Sequence, residues 1–127
     1  MRFKELLGVI LATPLVLAAC APEHTSKLVG KWRVRTDCGI EEIDLRADST
    51  FTQGHSKHGD YFEAKDGLWS LEPASSQRET DHVILANAWN LCDESRRSTP
   101  LRLEVSREWG QTVLVFDPDQ PRFTRVR

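Results

Sequence analysis

The sequence predicts an all-β protein: a small antiparallel up-and-down β-barrel of about eight strands, with a β-sandwich as the alternative. Three observations carry this. Apolar and polar residues alternate with a period of two in one short segment after another, turn-forming residues recur between the segments, and beyond the first twenty residues no stretch shows the apolar stripe of a helix. Closure into a barrel is favoured because it removes exposed strand edges, and successive hairpins give up-and-down order most simply.

The elements follow in order. Leu28, Gly30, Trp32 and Val34 share one face of a first strand, with Lys31, Arg33 and Arg35 on the other. Residues 40–53 read as a hairpin, in which Ile43 and Leu45 share a face, Ala47-Asp48-Ser49 supplies the turn and Phe51 begins the return. A polar loop, residues 54–60, leads to short strands over 61–64 and 67–72, the second placing Trp69 and Leu71 on one side. Residues 73–80 form a loop, and residues 82–89 are apolar on both faces, as in a well-covered strand. Residues 91–97 are the strongest short-helix candidate, although a loop is preferred there. Leu101, Leu103 and Val105 alternate with Arg102, Glu104 and Ser106. Gly110 turns the chain into residues 112–116, Asp117-Pro118-Asp119 turns it again, and residues 122–126 end it. Trp32, Phe51, Trp69, Trp89 and Phe123 are the inward candidates, and so many large rings predict a filled interior.

The amino end has a different character. Arg2 and Lys4 precede an apolar run from Leu6 to Leu17, followed by Ala18 and Ala19, which is the pattern of an export signal over residues 1–19. The run, interrupted by Pro14, is short of the roughly twenty apolar residues a membrane-spanning helix needs. Leu17-Ala18-Ala19-Cys20 closely resembles the bacterial lipobox. That resemblance implies that the Cys20 thiol takes a diacylglyceryl group, that the signal is cut just before it, and that the new amino terminus is acylated by a fatty chain such as palmitate. The mature chain is then a lipoprotein held to a lipid bilayer through acylated Cys20. Ala21, where an aspartate would resemble an inner-membrane retention signal, implies the outer membrane, facing the periplasm. Residues 20–27 read as a lipidated tether and residues 28–127 as one barrel domain.

From Cys20 onward the formal net charge is −3, which does not suggest nucleic acid. Seven arginines lie from Arg96 to the carboxyl end, against Glu104, Glu108, Asp117 and Asp119, and are read as a solvated barrel exterior. With Cys20 assigned to lipid, Cys38 and Cys92 remain as an even pair in an exported, oxidising context, and are expected to form a disulfide.

Gly30-Lys31-Trp32, the stretch IDLRADSTF, and Gly67-Leu68-Trp69 together are similar to small lipocalin-like bacterial domains. The resemblance implies that Gly30 and Trp32 form the barrel floor and that an arginine near the last strand covers the tryptophan. Arg122 and Arg125 are the two candidates.

A filled interior would move function to the loops, over residues 53–61, 72–81 and 92–100, the last carrying Asp93, Glu94, Arg96 and Arg97. The expected task is recognition of a macromolecular partner, an envelope protein or an attacking hydrolase. The alternatives are a lipocalin-like carrier of a small apolar ligand and, by resemblance of architecture, an inhibitor of a lysozyme or protease. An enzyme is not expected, since no nucleophile motif or phosphate-cradling loop occurs. Glu41, Glu42 and Asp44 read as sheet exterior. His55-Ser56-Lys57-His58 with Asp60 is the best metal candidate, but Lys57 opposes a cation and two imidazoles are not a site, so neither a metal nor another cofactor is expected.

Overall fold

A computed structural model describes residues 23–77, 79–90 and 92–127. The expected export signal, residues 1–19, and the expected lipidation site, Cys20, lie outside the described residues. One helical turn, α1 (Glu23–Ser26), leads into ten strands: β1 (Gly30–Thr36), β2 (Gly39–Leu45), β3 (Thr50–Lys57), β4 (Asp60–Glu72), β5 (His82–Ala86), β6 (Trp89–Asn90), β7 (Ser95–Arg96), β8 (Leu101–Glu108), β9 (Gln111–Val115) and β10 (Thr124–Arg125).

Eight of these form one antiparallel sheet in the order β10-β1-β2-β3-β4-β5-β8-β9. The ends meet where Leu114 and Phe123 exchange backbone hydrogen bonds of 3.1 and 2.9 Å, so the sheet is a nearly closed up-and-down barrel. β6 and β7 pair separately as a small ribbon within the connection from β5 to β8. Residues 91–97, the short-helix candidate, therefore contribute a strand of that ribbon. Cys92 within them is bonded to Cys38, which ties the segment to the neighbouring end of the barrel.

The two ends of the barrel differ. At the floor lie the entry of β1, the turn from β2 to β3, the turn from β8 to β9 and the end of β10. At the mouth lie the turns joining β1 to β2 and β3 to β4, together with the long connections after β5 and β9. The core fills the floor half. Trp32 is fully buried, its indole Nε1 donating to the Leu28 carbonyl at 3.0 Å. Arg125, rather than Arg122, covers that ring, with its guanidinium carbon 4.4 Å from the ring centroid while it donates to the carbonyls of Val29 (2.8 Å) and Lys27. Gly30 is needed beneath this cover: its φ is +137°, and a Cβ there would lie 2.7 Å from an Arg125 nitrogen. Arg122 instead bridges to Glu108 and to carbonyls of the connection after β9. Trp69 completes the floor, its Nε1 donating 2.8 Å to the Arg46 carbonyl at the turn after β2.

Two expectations about strand limits change. Residues 61–64 and 67–72 are one continuous strand, β4, interrupted by a bulge: Phe51 pairs with Gly67 while Gln53 pairs with Ala64. Gly67 makes room for the Phe51 ring, which a Cβ would meet at 2.3 Å. Residues 53–57 belong to β3 and not to a loop.

Candidate functional site

A cleft of about 430 Å³ opens to solvent at the mouth, above an interior whose floor half is packed as expected. Of the rings proposed to fill it, Trp32, Phe51, Trp69 and Phe123 are buried, but Trp89 is half-buried in the ribbon at the mouth. The deep wall of the cavity is apolar, from Val34, Leu101, Leu103 and Phe123, and the rim carries Arg97 and Gln53 with the carboxyl groups of Asp37, Glu41 and Asp117.

Strand alternation places these polar groups. On β2, Ile43 and Leu45 point into the core, so Glu41, two residues before Ile43, shares their face, while Glu42 and Asp44 make surface ion pairs with Arg33 and Arg46. Glu41 is therefore interior, in correction of the exterior reading. Its register partners are Val34 on β1 and His55 on β3. On β3 the inward face runs Phe51, Gln53, His55, all buried. His55 is thus an interior strand residue and not a solvated loop histidine. Its Nε2 lies 2.7 Å from the Cys38 carbonyl, which can only accept, so Nε2 carries the proton. That bond leaves His55 occupied as a structural donor. No group of three or more metal-ligating side chains occurs among the described residues.

Gln53 holds the ribbon down. Its amide oxygen accepts from the Trp89 backbone N–H at 2.7 Å and its amide nitrogen donates to the Trp89 carbonyl at 3.2 Å, which is the exchange a neighbouring strand would make. The Trp89 ring meets Phe62 at 5.4 Å between centroids and has the Arg96 guanidinium 5.1 Å from its own. The Cys38–Cys92 disulfide, with Cα atoms 5.4 Å apart, secures the same ribbon to the turn after β1.

Arg97 is the group least satisfied in this arrangement. Its guanidinium lies 5.6 Å from the Phe116 ring, its backbone N–H donates to the Ala88 carbonyl, and its Nε is buried with no hydrogen-bond partner among the described residues. A buried donor without an acceptor costs about 1–3 kcal/mol, more when charged, so this enclosed Nε is a cost to the fold, while the same side chain lines the cavity.

Glu41 is the counterpart. Burial raises its pKa above the ordinary carboxylate range, and the charges of His55 and Arg97 pull it partly back. The folded protein therefore binds this proton more tightly than the unfolded chain does. The resulting stabilisation is whole below the ordinary carboxylate pKa and is lost as pH rises through the raised one. Measured against Glu41→Gln, the wild type should lose urea midpoint as pH rises across the acid-to-neutral range. The carboxylates of Asp48, Glu63 and Glu79, held below their ordinary range by hydrogen bonds, contribute equally to both proteins. An unchanged slope in the variant would remove Glu41 as the source of that loss.

Comparison with protein-family models, with curated proteins and with solved structures gives no match for this chain. The site is therefore defined by its own geometry: a barrel mouth with an apolar base, a polar rim and a pinned ribbon above it. No helix among the described residues is long and apolar enough to cross a membrane. Sequence reading singled out Arg97 as a loop charge and missed Gln53 and Glu41 as interior groups. The signal for Glu41 was its two-residue spacing from Ile43 and Leu45.

Proposed function

We propose that this chain is an outer-membrane lipoprotein, anchored through Cys20 and facing the periplasm, whose barrel is a binding module and not an enzyme. Its binding site is the mouth, and its ligand is a small amphipathic molecule with an apolar body and an anionic or carbonyl-bearing head. The single observation that carries this is the cavity of about 430 Å³, in whose lining Arg97 stands with Val34, Leu103 and Phe123. Pockets for small ligands span about 300–1,000 Å³, lined mainly by apolar groups with a few convergent polar ones. Val34, Leu103 and Phe123 supply the apolar part and Arg97 the donor.

The test is titration with an anionic fluorescent amphiphile, anilinonaphthalene sulfonate, against the wild type and Arg97→Met. A hydrogen bond to a charged group contributes about 1.5–3 kcal/mol, so the variant should bind at least tenfold more weakly while keeping its fold. Equal affinity in both proteins would dismiss Arg97 as the head-group contact.

A second reading, recognition of a macromolecular partner such as an envelope protein or a hydrolase, has support from Phe116, which is half exposed beside Arg97 at the rim. A partner that inserts a side chain into the same mouth would compete with the amphiphile. Inhibition of a lysozyme or protease is one form of this reading.

A further inference from the structure

At the floor end, the hairpin of β8 and β9 closes through a two-residue turn in which Trp109 and Gly110 both have positive φ, 54° and 74°. Such turns favour Asn or Asp at the first position and Gly at the second, because a bulky side chain is disfavoured at positive φ. Trp109 is nonetheless fully exposed, the most exposed large apolar side chain among the described residues. Neither packing nor turn chemistry accounts for an indole at this position.

Its surroundings are basic. The surface cleft beside the turn is lined by Arg107, Gln111, Thr112, Thr124, Arg125 and Arg127, and the neighbouring carboxylate, Glu108, is paired with Arg122. Arg107 is held toward the tip by its bond of 3.0 Å to the Gly110 carbonyl. The chain enters at the same end, since Arg125 also binds the carbonyls of Lys27 and Val29. Cys20 stands three residues before Glu23, a span of at most roughly 10 Å for an extended chain.

We infer that the floor end is a bilayer-docking edge, with Trp109 seated at the headgroup level and Arg107 and Arg127 meeting the phosphates of anionic lipid. This rests on the anchor proposed for Cys20, which would bring this end to the membrane. Tryptophan belongs at that depth because its ring is apolar while its N–H wants a polar partner. Juxtamembrane arginines add attraction to anionic lipid that salt screens.

The experiment uses the full-length protein purified from its membrane, with the mass of its amino-terminal peptide measured first, and then reconstituted into vesicles of phosphatidylglycerol and phosphatidylcholine carrying brominated acyl chains. Trp32 and Trp69 are buried and Trp89 sits in the ribbon at the mouth, so the bromines should remove roughly one tryptophan's share of the emission of four. Trp109→Phe should abolish that quenching. In Arg107→Gln/Arg127→Gln the advantage of anionic over neutral vesicles should disappear. Vesicle-bound, acylated protein whose quenching is unchanged by Trp109→Phe would overturn docking and leave the anchor standing. An unmodified Cys20 would overturn the anchor. Docking would then stand only if the unacylated chain floats with anionic vesicles through Trp109, and failure to float would overturn it too.

Discussion

Trp32→Ala is expected to lower stability by about 3–5 kcal/mol, as measured by urea unfolding. The side chain is fully buried at the floor, and alanine would leave a void that neighbouring strands cannot close without breaking their ladders. The loss extends beyond volume. The Leu28 carbonyl loses its indole donor, and Arg125 loses the ring beneath its guanidinium. Natural domains are stable by only about 5–15 kcal/mol, so the variant should be partly unfolded or close to it. Trp32→Phe separates the contributions, since it keeps a ring under Arg125 and loses the N–H, and it should fall between the two. A Trp32→Ala protein within about 1 kcal/mol of wild type would show that the floor is not the core of this barrel.

Removing the disulfide should have an effect of similar size. The bridge joins residues 54 apart in sequence, and in the chain-entropy model a loop of that length stabilises by about 4 kcal/mol through restriction of the unfolded chain. Cys38→Ser/Cys92→Ser should therefore unfold at markedly lower urea concentration than the oxidised wild type, and reduced wild type should match the variant. The mouth supplies a second readout. The ribbon would still be held by Gln53 and by the contact of Trp89 with Phe62, but its connection to the turn after β1 would be gone. Affinity for the amphiphile should drop in the double variant. Identical unfolding curves with and without reductant would exclude a stabilising role for the bond.

What the sequence disclosed and what it concealed share one physical cause. Where one face of a strand is apolar and the other polar, as in β1 and β8, alternation reveals both the strand and its orientation. Where the interior itself turns polar, the same pattern misleads. Gln53 and His55 continue the inward face begun by Phe51, yet in the sequence they resemble the start of a loop. The bulge produced another concealment: Phe62 and Ala64 point inward, then Trp69 and Leu71 do, with the parity reversed between them, so one strand reads as two. The ribbon was hidden because its order depends on partners distant in sequence, Gln53 and Cys38, and two-residue strands leave no periodic trace. Arg97 was visible only as a charge, since its missing acceptor exists only once the fold is assembled.

The guanidinium of Arg125 brings the entering and departing chain together under the barrel, through Lys27 and Val29 at one side and its own strand at the other. The molecule is thus a cup gripped by its foot. With the anchor proposed at Cys20, the rim would be turned outward to solution, and a ligand would be met from the aqueous side and not drawn up from the membrane below. A label or fusion on the carboxyl terminus would sit by the foot as well, clear of the opening.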